Sequence, residues 1–162
     1  METSIIGAIA IALCVAPLVF MYKSRKKNES ALLNALKELA NSYKSRISTY
    51  DFGPSFAIGT DENNTYVFFS KVGQNQTIDL CVPISKIKKC YINAESHTVT
   101  RNKHAEMITD KLELVFEPKD KSLAPCRFEF FNSDERFQPN GERLLAQKWE
   151  TLVNGQLRKV AV

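Results

Sequence analysis

The sequence has few of the residues from which common catalytic and metal sites are built. It contains two histidines, His97 and His104, and only six glycines in 162 residues. The segment His104-Ala105-Glu106 matches the H-x-E half of the zinc deaminase motif, but the P-C-x-x-C half that supplies the other metal ligands is missing. A glycine-rich phosphate loop, a G-x-S-x-G motif and a pair of catalytic carboxylates are also missing. We therefore predict a protein that is not an enzyme and that uses no metal or cofactor.

The four cysteines form no C-x-x-C pair. Cys14 lies in an apolar stretch, which leaves Cys81, Cys90 and Cys126 for the rest of the chain. An odd number of widely spaced cysteines argues against a disulfide framework and fits a reducing compartment, in which cysteine behaves as a small buried hydrophobic residue. Cys81 and Cys90 fall on predicted strands, where burial raises the thiol pKa and makes the thiol unreactive.

Positive charge is concentrated in one short segment. The formal net charge is +4, and Lys23, Arg25, Lys26 and Lys27 account for this excess. Beyond residue 27 the chain is nearly neutral. A nucleic-acid-binding domain is expected to carry a basic stripe of its own, so nucleic acid is not predicted as a partner.

Charge is absent from Ile5 to Tyr22, roughly 18 positions that would form about 27 Å of helix. This length just reaches across a hydrocarbon core of about 30 Å. A secretory signal would need positive charge before the apolar run and small residues after it, whereas this run follows Glu2 and ends in Phe20-Met21-Tyr22. We therefore expect residues 1–27 to be a permanent transmembrane anchor with a basic stop. Its predicted membrane-spanning side chains are Ile5, Ile6, Ile9, Ile11, Leu13, Val15, Leu18, Val19 and Phe20.

The basic segment predicts the orientation of that anchor. Lys and Arg near the end of a spanning helix are retained in the cytoplasm. Lys23, Arg25, Lys26 and Lys27 therefore predict a single-pass membrane protein with its N-terminus outside and its C-terminal domain cytoplasmic. The same four residues are candidate contacts for anionic headgroups, with the lipid bilayer as a partner.

A second helix is predicted over residues 28–46. Its apolar residues recur at spacings of four, three and four, and are Leu32, Leu36, Leu39 and Tyr43. Three alternatives could cover this apolar face: packing on the following domain, a coiled coil between copies of the chain, or the headgroup layer. The second alternative would make the protein a homo-oligomer through this helix or through the transmembrane helix.

From residue 47 onward the pattern changes to that of short strands. Alternation of apolar and polar residues predicts a half-buried antiparallel sheet with one face in water. Asp61–Asn64 and residues 73–76 are predicted turns, and Pro83 marks the end or edge of a strand. The predicted strands cover residues 56–60, 65–71, 77–84, 88–94, 97–100, 111–117 and 126–132.

The last element has helical spacing. Its apolar residues recur at intervals of three and four before Asn154-Gly155, a typical helix stop; they are Leu144, Leu145, Trp149, Leu152 and Val153. The sequence thus predicts an α+β, mainly β protein. A transmembrane helix and a linker helix precede a roughly seven-stranded antiparallel barrel or sandwich over residues 47–158, which a C-terminal helix caps, and residues 159–162 form a tail.

This order of elements resembles the pleckstrin-homology-like superfold, including its bacterial and GRAM-type branches. The segment IDLCVPISKIKKCYI, Ile78 to Ile92, is similar to the third-strand, turn and fourth-strand passage of those domains, where the chain changes sheet. The resemblance covers about residues 50–157. It implies a module that binds phosphoinositide headgroups, peptides or other proteins, or that serves as a structural unit.

The loop that is basic in phosphoinositide-binding members is acidic in this sequence. Thr60–Thr65, TDENNT, carries two carboxylates that would repel an inositol phosphate. Lys86, Lys88 and Lys89 form a second basic cluster and are candidate headgroup or partner contacts. An open sheet can also accept a partner's strand at an exposed edge.

These observations together predict a membrane-anchored, non-enzymatic binding or scaffolding protein that recognises a protein or peptide. The alternatives are a sensor of anionic lipid headgroups and a membrane-anchored enzyme of an unrecognised type. The loops at Asn102–Asp110 and Asp134–Pro139 are the predicted places for a partner, because loops carry variable contacts.

Overall fold

The computed structural model describes residues 2–73, 76–101, 104–136 and 138–160; the side chains of residues 2–16, 18, 21, 100, 101, 104, 106 and 160 lie outside this description. The described residues form two α-helices, seven β-strands and a short 3-10 helix. In chain order these are α1 (Glu2–Ser42), β1 (Ile47–Phe52), β2 (Phe56–Asp61), β3 (Tyr66–Val72), β4 (Thr77–Pro83), the 3-10 helix (Ile84–Lys86), β5 (Ile87–Arg101), β6 (His104–Pro118), β7 (Cys126–Asn132) and α2 (Glu142–Val160).

The strands form two antiparallel sheets in which chain neighbours are also hydrogen-bonded neighbours. Sheet one has the order β1-β2-β3-β4, and sheet two has the order β5-β6-β7. The chain passes from one sheet to the other at the 3-10 helix, directly after Pro83 ends β4. The segment Ile78–Ile92 therefore contains the change of sheet. Its strands are the fourth and the beginning of the fifth, whereas the resemblance had compared it with a passage from a third to a fourth strand.

Aromatic side chains fill the space between the sheets. The rings of Phe69 and Phe128, from opposite sheets, stack with centroids 4.8 Å apart, and Phe56 and Phe130 lie 4.6 Å apart. Trp149 of α2 is fully buried in the same core. Because these side chains alternate with polar ones along β7, the apolar face of sheet two closes on sheet one.

A buried lysine links the two sheets at one end of this core. Lys71 of β3 is 2% exposed, and its Nζ lies 2.6 Å from Glu129 Oε1 of β7 and 2.8 Å from Glu135 Oε2. A charge removed from water needs paired and hydrogen-bonded partners. The two carboxylates are these partners, so Lys71 has a structural role.

The outer face of sheet one is covered by α1. Leu32, Leu36 and Ala40 are buried and pack on Phe68. The helix lies so close that a Cβ at Gly59 would be 2.9 Å from Leu36 Cδ2. Of the three alternatives for the amphipathic helix, the structure shows packing on the domain.

The predicted fold class is wrong in two respects. The described strands do not close into a barrel, because β4 is hydrogen-bonded only to β3 and β5 only to β6. Within the described part of the chain, no helix combines the length and the apolar character needed to cross a membrane. A span needs about 20 apolar residues, and the described part of α1 is interrupted by the basic residues Lys23, Arg25, Lys26 and Lys27. The predictions of a transmembrane helix, of a single-pass membrane protein and of a cytoplasmic localisation are therefore wrong.

Several predicted element boundaries also differ from the structure. β1 was not predicted, and β5 joins two predicted strands into one of 15 residues. β6 begins at His104, in a stretch predicted to be polar loop. α2 continues through Asn154-Gly155 to Val160. The centre of sheet one is not exposed on one face as predicted, since every residue of β2 is buried between α1 and sheet two.

The hairpin of β5 and β6 extends beyond the rest of sheet two. β7 pairs with β6 only from Lys111 to Phe116, whereas β5 and β6 remain paired as far as Arg101 and His104. We call this extension, residues 95–101 and 104–110, the β5–β6 ribbon.

Candidate functional site

Two adjacent cavities lie where α1, the β1–β2 turn and the beginning of α2 meet. Their volumes are about 530 and 340 Å³, and both are lined by Phe52, Gly53, Pro54 and Asn140. We call the combined depression the α1–α2 groove. The α1 side is lined by Phe20, Ser24, Arg25, Asn28, Glu29 and Leu32, and the α2 side by Asp51, Gly141, Glu142, Leu144, Leu145 and Lys148.

The floor of the groove is a tight turn between β1 and β2. The N–H of Gly53 donates to Phe56 O at 2.8 Å. Any Cβ at position 53 would collide with the ring of Phe56, so only glycine allows the ring to pack under the turn. Pro54 follows with the fixed φ that suits the first corner of a turn.

The α2 side of the groove is fixed by a buried carboxylate. Glu142 is 1% exposed and lies in the first turn of α2, where the helix dipole favours negative charge. It accepts hydrogen bonds from the backbone N–H of Asn140 and from the guanidinium of Arg136. Gly141 precedes it with φ of +89°, a value that glycine adopts without strain.

On the remaining walls of the groove the charged side chains are also paired. On α1, Arg25 Nε lies 2.9 Å from Glu29 Oε1. On α2, Lys148 Nζ lies 2.7 Å from Asp51 Oδ2. Together with the Arg136–Glu142 pair, three cations face three carboxylates, so the described lining carries no net charge.

Asp51 also connects the groove to the core. Its Oδ2 accepts a hydrogen bond from Trp149 Nε1 at 2.9 Å, in addition to the bond from Lys148. Trp149 is fully buried, and a buried indole N–H needs an acceptor. One carboxylate therefore holds β1 against α2 beneath the groove.

Apolar side chains remain exposed at both ends of the groove. Phe20 on α1 is 76% exposed, and Leu144 on α2 is 74% exposed. Phe52 between them is half-buried and packs edge-on to Tyr50 with ring centroids 5.5 Å apart. The groove thus presents apolar surface in a neutral polar frame.

The predicted residues of the N-terminal segment are only partly described. The side chains of Ile5, Ile6, Ile9, Ile11, Leu13, Val15 and Leu18 lie outside the described residues. Val19 is 46% exposed, and Phe20 lines the groove. Lys23, Lys26 and Lys27 are exposed, while Arg25 lines the groove and pairs with Glu29.

The second basic cluster does not line the groove. Lys86, Lys88 and Lys89 are exposed near the beginning of β5. Lys88 Nζ donates to Glu117 Oε1 at 3.1 Å, and Lys89 Nζ lies 5.2 Å from the ring centroid of Tyr91. Two of the three cations thus already have partners on sheet two.

The acidic loop next to β2 has a structural role. Asp61 is 2% exposed, and its Oδ1 accepts from the backbone N–H groups of Thr65, at 2.7 Å, and Tyr66, at 3.0 Å. Its Oδ2 accepts from Ser45 Oγ at 2.8 Å. The carboxylate therefore closes the β2–β3 turn and attaches it to the end of α1.

The thiols lie where their reactivity is suppressed. Burial raises the pKa of Cys90 to about 12 and the pKa of Cys81 to about 11. Burial also raises the pKa of Cys126. Since the thiolate is the nucleophile, these three positions do not provide one near neutral pH.

Of the two histidines, only His97 has a described side chain. His97 Nδ1 lies 2.7 Å from Asp110 Oδ1 across the base of the β5–β6 ribbon, and the side chain of His104 lies outside the description. Among the described residues, no three His, Cys, Asp or Glu side chains converge as metal ligands. His97 therefore acts as a cross-strand contact.

The two predicted partner loops had different outcomes. Asn102 and Lys103 lie outside the described residues, and His104–Asp110 is a strand of the ribbon. Of the loop Asp134–Pro139, the described residues 134–136 and 138–139 lie between β7 and α2, and Arg136 reaches the groove. The groove itself was not predicted. Gly53-Pro54 was the available signal for its turn, and Leu144 was placed in the apolar stripe although it is exposed.

No protein-family model, no curated protein and no solved structure matches this chain.

Proposed function

We propose that the protein is a non-enzymatic binding or scaffolding module, and that the α1–α2 groove receives an uncharged segment of a protein partner with apolar side chains. The observation that carries this proposal is the internal pairing of Arg25, Arg136 and Lys148 with carboxylates of the same groove. A ligand with a strong charge would have to compete with these pairs for the charged groups. An uncharged segment leaves all of them intact.

The exposed apolar residues supply the attraction. Phe20 and Leu144 are each about three quarters exposed, and burying a side chain of this size contributes about 1.5–3 kcal/mol. Phe52 lies between them at the shared floor. An extended peptide could therefore place one apolar side chain at each end and its polar backbone along Asn28 and Asn140.

Two further observations support a binding role. The described lining contains no histidine and no cysteine, so it offers no imidazole base and no thiol nucleophile. The resemblance to pleckstrin-homology-like domains implies binding of proteins, peptides or headgroups. The acidic Thr60–Thr65 loop and the neutral groove favour the protein or peptide member of that set.

A display experiment with two matched variants tests the proposal. Random peptides are selected on the full-length protein and measured by fluorescence polarisation against Leu144→Glu and Leu123→Glu. Both leucines are exposed, at 74% and 56%, so both variants should fold. We expect uncharged apolar peptides whose affinity falls at least about tenfold in Leu144→Glu, through loss of one apolar contact, and stays within about twofold in Leu123→Glu.

Two results would overturn the proposal. One is selection of peptides that bind both variants equally, because the contact would then lie elsewhere. The other is enrichment of strongly acidic or basic peptides, because such ligands compete with the paired charges that define the groove. Circular dichroism of both variants provides the folding control.

A further inference from the structure

The β5–β6 ribbon extends past the cover of its neighbouring strand. β7 stops pairing at Lys111, and from Glu95 to Val99 the described side chains of β5 are exposed. Met107 on β6 is 78% exposed. A two-stranded ribbon is marginally stable in water, whereas three or more strands are stable. The ribbon therefore gains most from an added strand.

The backbone groups at the outer edge of β5 can be assigned. Asn154 of α2 bonds to the backbone of Cys90 from that side, accepting from its N–H at 3.2 Å and donating to its C=O at 2.8 Å. Outward groups recur at every second residue of an antiparallel strand. The register shift near Glu95 leaves Asp110 as the extra residue of β6, so β5 itself is unbroken. Ser96, Thr98 and Thr100 therefore turn their N–H and C=O groups outward.

The opposite edge of the ribbon is less accessible. The extra residue Asp110 distorts β6 at the base of the ribbon. Its carbonyl already accepts a hydrogen bond from Ser133 N–H at 2.8 Å. The chain that follows β7 therefore runs beside the β6 edge at the base of the ribbon. The β5 edge is the one with regular, accessible backbone groups.

The sequence of that edge is complementary to itself. In an antiparallel pairing with a two-fold axis at Thr98, Glu95 of one copy lies opposite Arg101 of the other. Ser96 lies opposite Thr100, and Thr98 lies opposite itself. Cross-strand pairs of opposite charge and pairs of hydroxyl residues both stabilise a sheet. The same two-fold axis makes the Glu95–Arg101 and Ser96–Thr100 pairs occur twice each, while the Thr98 pair lies on the axis.

We propose that residues 95–101 of β5 pair antiparallel with the same segment of a second copy of this chain, joining the two ribbons into one four-stranded sheet. The partner is identified by charge complementarity, because the Glu95 and Arg101 positions match only in the self-register. This interface does not involve the α1–α2 groove. The proposed dimer is therefore independent of the ligand proposed for the groove.

A proline substitution tests the backbone pairing. Thr98→Pro removes an N–H that points away from β6 and leaves the hydrogen bonds within the ribbon intact, while Thr98→Val keeps that N–H and serves as the matched control. Sedimentation velocity of the full chain should show a concentration-dependent dimer. The dimer dissociation constant should rise about tenfold or more in Thr98→Pro, which removes two intermolecular bonds per dimer. In Thr98→Val it should change less than about threefold.

A charge exchange tests the register. Glu95→Arg and Arg101→Glu should each weaken the dimer about threefold to tenfold, because each places like charges opposite each other. The double variant restores opposite charges and should return within about threefold of the original constant. Failure of the double variant to recover would overturn the register.

Cross-linking separates this dimer from other association. A short bis-maleimide should join two chains through Thr98→Cys, because the axis places residue 98 next to itself. It should not join Glu95→Cys, whose two copies would lie about 20 Å apart along the strands. A chain that stays monomeric overturns the proposal. So does a chain that forms a dimer which Thr98→Pro does not weaken and which Thr98→Cys does not cross-link. The first result would leave the edge to a strand of another protein, and the second would assign the association to a different surface of the chain.

Discussion

β2 of sheet one and the outer part of β5 are both β-strands, but they have opposite surroundings. Every residue of β2 is buried, because α1 lies on one face and sheet two on the other. On β5, the described side chains from Glu95 to Val99 are exposed. Two segments can therefore both form strands, while the elements placed on their faces decide what each strand contributes to stability.

The molecule thus has a supported part, whose strands are covered by other elements, and an open part, which lies beyond that cover. β2, β3, β4, β7 and the parts of β5 and β6 next to β7 supply the core that contains Trp149 and the phenylalanine rings. The β5–β6 ribbon lies beyond β7. Stability should therefore be sensitive to substitutions under α1 and insensitive to those on the ribbon, where association with another strand is the expected readout.

The largest expected effect is a cavity under α1. Leu36 is fully buried against sheet one, and Leu36→Ala should lower the free energy of unfolding by about 2–5 kcal/mol. Met107→Ala on the ribbon is the matched control, and since Met107 is 78% exposed its effect should stay within about 0.5 kcal/mol. Urea unfolding of both variants measures the difference. Equal losses would show that α1 does not cover sheet one in solution.

A smaller effect is expected where β1 meets α2. Asp51→Ala should cost about 1–3 kcal/mol, because it leaves the buried N–H of Trp149 without its acceptor. Asp51→Asn can still accept from the indole and loses only the pair with Lys148, whose side chain is 54% exposed. An exposed pair contributes at most about 1 kcal/mol.

The relative stability of the two Asp51 variants separates the indole hydrogen bond from the ion pair. Asp51→Ala should be less stable than Asp51→Asn in urea, and Lys148→Ala should resemble the amide variant. A loss in Lys148→Ala as large as in Asp51→Ala would mean that the ion pair, and not the indole hydrogen bond, holds β1 against α2.

Local patterns in the sequence were sufficient to predict much of the fold. Residues 126–132 alternate strongly and form β7 with the predicted bounds. The apolar spacing of Leu32 and Leu36 identified the buried face of α1. Residues 61–64 were predicted as a turn and connect β2 to β3. In each case the determining residues are close in sequence, so spacing and turn chemistry contain the information.

The parts that the sequence did not predict depend on contacts between distant residues. The bond between Asp51 and Trp149 joins residues 98 positions apart, and it attaches β1, a strand with little alternation, to the domain. The bond between Cys90 and Asn154 spans 64 positions. The groove combines α1, the β1–β2 turn and α2. Spacing within a short window contains no information about such pairs.

The most local expected effect lies at the border between the supported and the open part of β5. Asn154-Gly155 was predicted to end α2, but the helix continues because the Asn154 side chain bonds to the backbone of Cys90 instead of to its own chain. Asn154→Ala should cost about 0.5–1.5 kcal/mol per hydrogen bond removed. It should also extend the free edge of β5 toward the core.

Amide hydrogen exchange distinguishes this role from general destabilisation. The N–H of Cys90 should exchange faster in Asn154→Ala by more than the change in global stability requires, while the amides of β2 should change only in proportion to it. Asn154→Asp keeps the acceptor for that N–H and places negative charge next to the Cys90 carbonyl, so it should protect the amide and still destabilise the protein. A uniform change at all amides would show that Asn154 supports the whole fold, and that the boundary between the covered and the open edge of β5 lies at another residue.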